Sequence, residues 1–242
     1  MKTVAIVQAR MTSTRLPGKI LADLAGAPML ERQLSRMRRA TTLDDVMIAT
    51  TTNASDDPVI ALCDRLGIST FRGSEEDVLS RYLGAAASSK ADVVVRITAD
   101  CPLLDGDVVD RVVRALHAEG TDYASNTLTR SYPRGLDVEA LTRDALERTV
   151  MAATSKPARE HVTWFIHTES PDSFTRSSVS SDVDGSDLRW TVDTPDDLAM
   201  VRAVYAGLGL ADRNVAYPEI LAWIRAHPEV ARINAAVAQK LH

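Results

Sequence analysis

The stretch Gln8-Ala9-Arg10-Met11-Thr12-Ser13-Thr14-Arg15-Leu16-Pro17-Gly18-Lys19 carries three cations before the first acid, Asp23, in a chain of formal net charge −5. Clustering of this kind in an acidic protein points to a local anion site. A cation within about 4 Å of a phosphate contributes roughly 4 kcal/mol of Coulomb energy at an effective dielectric near 20, before desolvation, so three can hold a triphosphate. Ala9, Thr12, Ser13 and Thr14 are small enough to let backbone N–H groups approach phosphate oxygens, while Arg10, Arg15 and Lys19 neutralise the charge. The run is not a Walker A loop, because Ile20 follows Gly18-Lys19 and Ser13 stands where the earlier glycine belongs; nor does it hold a G-x-G-x-x-G fingerprint. The plainer alternative is a solvated basic loop.

Two acids complete the chemistry. Asp100 follows the apolar run Val93 to Ile97 and precedes Cys101-Pro102, and Asp193 follows Trp190-Thr191-Val192. Hard cations such as Mg²⁺ or Mn²⁺ take one or two carboxylates together with substrate phosphates and waters, so this pair is the candidate metal site. Their local alternatives are a turn residue for Asp100 and an extended helix cap for Asp193.

These residues need a frame that brings strand ends together. Val4-Ala5-Ile6-Val7, Val46 to Thr50 and Val93 to Ile97 are short apolar runs rich in β-branched residues, the pattern of strands buried on both faces, and Ser69-Thr70-Phe71 is a weaker fourth. Helical segments near Met29 to Arg38, Pro58 to Leu66, Val78 to Ala87 and Val108 to Glu119 have the length of right-handed crossovers. Asp56 or Asp57 is expected to cap the second, with Pro58 at its start, and Ser74 the third. The fold class is therefore α/β: a doubly wound, mostly parallel sheet, whose ligands bind beyond the carboxyl ends of the strands.

From about Tyr123 the rhythm changes. A turn at Pro133-Arg134-Gly135, a strand over Leu136 to Ala140, helices near Arg143 to Ala153 and Arg159 to His167, and a loop or edge hairpin over Ser170 to Ser186 read as a smaller inserted lobe. The expected division is thus 1–129 with 188–242 for the nucleotide-binding part and 130–187 for the lobe. A strand is predicted over Leu188 to Val192, then a helix opened by Thr194-Pro195-Asp196-Asp197, then helices over Pro218 to Ala226 and Glu229 to Lys240.

With 45% hydrophobic and 25% charged positions, the composition is that of a folded protein and not a disordered one. The negative charge argues against a general nucleic-acid or anionic-membrane binder. Two cysteines, Cys63 and Cys101, make neither a zinc spacing nor a disulfide framework, and no apolar stretch approaches spanning length; a cytoplasmic protein is expected.

The basic run, then Phe71-Arg72-Gly73-Ser74-Glu75-Glu76-Asp77-Val78-Leu79, Arg96-Ile97-Thr98-Ala99-Asp100-Cys101-Pro102, Ser125-Asn126-Thr127, Gly135-Leu136-Asp137-Val138-Glu139, Arg159-Glu160-His161-Val162-Thr163 and Leu188 to Pro195 together resemble the spore coat polysaccharide biosynthesis proteins of the cytidylyltransferase superfamily. The resemblance reaches to about Tyr205. It implies a nucleotide-diphospho-sugar transferase fold, CTP held by the loop after the first strand, Mg²⁺ held by the positions of Asp100 and Asp193, and a homodimer formed through the smaller lobe.

On these grounds the nucleotide set is Gln8, Ala9, Arg10, Ser13, Arg15, Lys19, Arg72 and Thr98, with Arg10, Arg15, Lys19 and Asp100 as the catalytic group. Asn126, Asp137, Glu139, Arg159 and His161 are the acceptor set, in which His161 is either a base or a helix-end packing residue. The expected reaction is attack of a sugar-type acceptor on CTP with release of pyrophosphate. Its rivals are a metal-dependent glycosyltransferase using a nucleotide-sugar donor and a non-catalytic nucleotide-binding subunit.

Overall fold

The computed structural model describes residues 1–238. Along it run β1 (Thr3–Gln8), the short hairpin of β2 (Asp23–Leu24) and β3 (Ala27–Pro28), α1 (Met29–Met37), β4 (Asp45–Thr51), α2 (Asp57–Leu66), β5 (Ser69–Gly73), α3 (Val78–Ser89), β6 (Val93–Thr98) and α4 (Gly106–Glu119). There follow β7 (Tyr123–Ser125), β8 (Glu139–Thr142), α5 (Arg143–Ala152), α6 (Lys156–Glu160), β9 (Arg176–Ser178), α7 (Pro195–Leu208), α8 (Tyr217–Ala226) and α9 (Pro228–Arg232).

The main sheet has the order β5-β4-β1-β6-β8-β7-β9, and β5, β4, β1 and β6 are mutually parallel. In β1, Ala5 and Val7 enter one apolar core while Val4 and Ile6 enter another, which is how a strand covered by helices on both faces must divide its side chains. From β1 the chain goes first to β4 and β5 on one side and only later to β6 on the other, so the topological switch point lies between β1 and β6. The expected α/β sheet is present.

Its second half departs from the parallel pattern. β8 inserts antiparallel between β6 and β7, and β9 pairs parallel with β7 at the edge. The stretch 130–187 therefore contributes two strands to the main sheet as well as α5 and α6. β8 begins three residues later than the predicted strand, and Ser170 to Ser186 contains the edge strand β9 in place of a hairpin.

Three further expectations fail for tertiary reasons. Leu188, Trp190 and Val192 are buried with strand-like alternation, yet their backbones bond the loops at Arg134 and Asp100, so only an isolated bridge between Arg134 and Arg189 forms where a strand was predicted. The helix predicted over Arg159 to His167 ends at Glu160, because Val162 takes φ 52° and the Thr163 hydroxyl bonds Glu139 (2.5 Å); Phe165–Glu169 is then wound as a π-turn. Asp56 precedes α2 but makes no cap hydrogen bond, and α3 is capped by Asp77, which accepts from Ser80 N–H at 3.0 Å. α9 stops at Arg232, and the end of the helix predicted to Lys240 lies outside the described residues. The Thr194 helix start is as read: its side chain and that of Asp197 form a capping box around Pro195.

Candidate nucleotide and acceptor site

The cleft lies where β1 and β6 end side by side, Gln8 level with Thr98. Beyond β1 the basic loop is folded onto itself. Ala9 N–H bonds Ala49 O (3.1 Å), Met11 N–H bonds the buried Asp56 carboxylate (2.7 Å), and Gly18 N–H returns to Met11 O (3.0 Å). Gly18 sits at φ 70°, a conformation that favours glycine and turns the chain into the short helical turn holding Lys19. Among the described residues, the amides of Thr12, Thr14 and Arg15 have no internal acceptor, whereas that of Ala9 is taken. These three residues line one hollow, and unengaged N–H groups in a bent loop are suited to anionic oxygens.

Asp100 and Asp193 meet here because their segments are clamped to each other. Gln33 donates to Thr98 O (2.7 Å) and accepts from Cys101 N–H (3.3 Å), and Val192 N–H bonds Asp100 O (2.8 Å). The two carboxylates converge on one ammonium: Lys19 Nζ lies 3.0 Å from Asp100 Oδ2 and 2.8 Å from Asp193 Oδ1, and donates to Val192 O at 2.7 Å. Arg15 reaches Asp193 Oδ2 at 2.8 Å and Arg189 reaches the same oxygen at 2.6 Å. Burial opposes the charge on Lys19, but Asp100 and Asp193 outweigh it and raise its pKa. For Asp193, burial is likewise overcome, by Lys19, Arg189 and Arg15, and the acid is held below the ordinary carboxylate range.

This arrangement fits a divalent metal, since two hard oxygen donors already share a cation. Asp100 and Asp193 would hold it. Among the described residues no three or more His, Cys, Asp or Glu side chains are grouped so as to hold a metal ion, so the remaining ligand positions would fall to phosphate oxygens and water. Beside them, burial first and Asp100 second push the Cys101 thiol pKa up, which disfavours the thiolate.

Gln8, Arg10, Ser13, Arg15, Lys19, Thr98, Asp100 and Asp193 all line one hollow of about 240 Å³. An adjoining hollow of about 380 Å³ shares Gln8, Arg15, Thr98, Asp100 and Asp193 and adds Asp137, Glu139 and His161. Ala9 and Arg159 line a third space alongside Arg10 and His161. Two predicted residues are not in the cleft. Arg72 gives its guanidinium to Thr51 O, Asn53 O and Asp57 at and just beyond the end of β4, and Asn126 is fully buried with its amide bonded to Leu136 O (2.7 Å) and Val138 N–H (2.9 Å). Glu139 is also engaged internally: it pairs with Arg96 and accepts from Tyr123 and Thr163 hydroxyls, each at 2.5 Å. Arg159 is paired with Asp77.

Sequence reasoning missed Arg96, Arg130, Arg134 and Asp56. Arg96 had a signal, a charge inside an otherwise apolar strand, which requires a buried partner. Arg130, which pairs bidentately with Asp137 (2.7 and 3.0 Å), had none.

A family model described as Cytidylyltransferase matches residues 4–179. The chain belongs to the cytidylyltransferase family. It is 30% identical to the spore coat polysaccharide biosynthesis protein SpsF of Bacillus subtilis, with 93% of this chain and 95% of that protein covered. A solved cytidylyltransferase from Leptospira borgpetersenii superposes with a TM-score of 0.90 at 29% identity over 100% of both chains. The structure of a CMP:2-keto-3-deoxy-manno-octonic acid synthetase complexed with CTP shares the fold, with a TM-score of 0.64 at 21% identity, covering 86% of this chain and 100% of that one. This cytidylyltransferase is thus a nucleotidyltransferase enzyme, as the sequence motifs implied. Among its described residues no helix is long and apolar enough to cross a membrane.

Proposed function

We propose that this cytidylyltransferase uses CTP with Mg²⁺ or Mn²⁺ to transfer a cytidylyl group to a sugar-type acceptor, forming a CMP-linked product and pyrophosphate for polysaccharide or glycoconjugate assembly. The observation that carries the reading is the meeting of Arg15, Lys19, Asp100 and Asp193, distant in the chain, at one point beside the unengaged amides of Thr12, Thr14 and Arg15. In it, the loop amides with Arg10, Arg15 and Lys19 hold the polyphosphate. The acceptor, seated in the hollow lined by Asp137 and His161, presents an oxygen in line with the α-phosphorus. As the new O–P bond forms, the bond from the α-phosphorus to the bridging oxygen breaks, pyrophosphate leaves with the electron pair, and the acceptor proton passes to water or to His161. Asp100 and Asp193 would hold a divalent metal, which would neutralise charge on the phosphate oxygens.

The same reading places the enzyme in the cytoplasm as a homodimer built through 130–187. Release of pyrophosphate from CTP, assayed across a panel of sugar acids with Mg²⁺, tests it. A CMP-sugar product is expected. Cleavage of a UDP- or CMP-sugar with CTP left intact would replace this reading with that of a glycosyltransferase.

A further inference from the structure

Among the described residues, the Arg and Lys side chains that line the two hollows holding Asp100 and Asp193 are paired with acids, except one. Arg10 faces Glu75, Arg15 and Lys19 share Asp193, Arg96 is closed onto Glu139, and Arg130 onto Asp137. Arg134 is half-buried and lines the same hollow, yet its side chain has neither an ion pair nor a hydrogen bond among the described residues. Burial first, then the neighbouring Arg130 and Arg189 charges, lower its pKa, with only Asp137 opposing. The position is held firmly. Arg134 N–H bonds Leu188 O (3.0 Å), Arg134 O accepts from Trp190 N–H (2.6 Å), and the next residue, Gly135, sits at φ 104° where an added Cβ would fall 2.5 Å from Thr191 N. The backbone thus fixes the root of a cation that has no paired acid among the described residues.

We propose that Arg134 is the specificity residue for the acceptor, binding an oxyanion, carboxylate or phosphate, that the acceptor carries. A guanidinium offers a planar fork that matches either group through two parallel N–H···O bonds, and a partly desolvated one gains most from a ligand that brings the missing charge. The proposal rests on the reading that the hollow beside the triphosphate loop is the acceptor site. It separates the two ends of the substrates: phosphates of the nucleotide lie with Arg15 and Lys19, the acceptor's anion with Arg134.

The test uses the full chain loaded with CTP and Mg²⁺, so that the triphosphate site is filled, titrated by calorimetry with inorganic phosphate, with pyruvate and with uncharged glycerol. At least one anion should bind the parent protein and glycerol should not; which anion binds more tightly tells phosphate from carboxylate. Arg134→Gln should weaken that anion at least about tenfold while CTP affinity and the melting temperature stay unchanged, and Arg134→Lys should recover part of the loss. Equal anion affinity in Arg134→Gln, or no anion binding to the parent protein, overturns the assignment. Failure of the parent protein to bind CTP would sink the nucleotide reading instead, leaving the anion titration on the unloaded protein to judge Arg134.

Discussion

Two clusters of charge lie a few residues apart along β6 and are built in opposite ways. Around Lys19, three cations share Asp193, and the carboxylates keep a face to the cleft, with Asp100 23% and Asp193 17% exposed. Around Glu139, one carboxylate is enclosed by Arg96, Tyr123 and Thr163, and it tethers β8 to β6 and to the segment after α6. The first cluster can trade its internal partners for ligand oxygens and metal without exposing a core. The second cannot. Function is expected to sit in the exchangeable cluster and stability in the sealed one.

The strongest test of that contrast is Glu139→Ala. It leaves Arg96 buried without its acid, its Nε already lacking a partner among the described residues, and is expected to cost about 3–5 kcal/mol in urea unfolding. Glu139→Ala combined with Arg96→Met should regain much of the loss, since removing both charges removes the uncompensated one. Next, Asp100→Ala should lower pyrophosphate release by at least about 10²-fold while shifting the urea midpoint far less than Glu139→Ala does. Equal stability losses in the two variants would erase the distinction.

Asp56 is an intermediate case. It is 1% exposed and accepts from Thr50 and Thr51 hydroxyls, Thr51 N–H and Met11 N–H, so it fastens the basic loop to the end of β4. Asp56→Asn is expected to cost about 2 kcal/mol, the scale of hydrogen bonds to a charged group, and to raise KM for CTP more than it lowers kcat. A change in kcat alone would mean that Asp56 does not position the loop.

The parallel half of the sheet was legible because a strand buried on both faces writes itself as a continuous apolar run, as in Val4 to Val7 and Val93 to Ile97. Asp100 was legible for a related reason, since it stands just past the end of such a run, whereas Asp193 follows an alternating stretch that forms no strand and Arg15 and Lys19 are placed by the loop beyond β1. The antiparallel half was not legible. β7 and β9 are three residues each, too short for periodicity to register, and the break after Glu160 is imposed by a contact between Thr163 and Glu139, two residues far apart in sequence. Arg72 and Asn126 show the converse: a motif marks a polar residue without telling a ligand contact from an internal one, and in this structure both bond backbone groups inside the fold.

The smallest expected effect is on pH, and it again separates the clusters. Arg96 and the Thr163 and Tyr123 hydroxyls outweigh burial and keep Glu139 below its ordinary value of 4.5, and Lys19 with Arg189 and Arg15 does the same for Asp193 below 3.8. A depressed folded-state pKa means that the unfolded chain binds more protons in the acid range, so these contributions are whole above the ordinary values and are lost as pH falls through the folded ones. The share of the urea midpoint owed to these two acids should therefore hold level from neutral pH to about 5 and decline beneath about 4.5, on top of a loss that begins below 6.5, where the unfolded chain protonates His167, whose pKa burial lowers in the fold. Glu139→Gln starts lower because it lacks the charged pair, but it should decline less steeply, so the gap between it and the parent protein narrows as acid is added. Asp100→Ala should keep the parent's slope from Glu139. If instead Glu139→Gln runs parallel to the parent down to pH 3, the Glu139 carboxylate is not held charged by the fold, and the sealed cluster is a neutral hydrogen-bonded network.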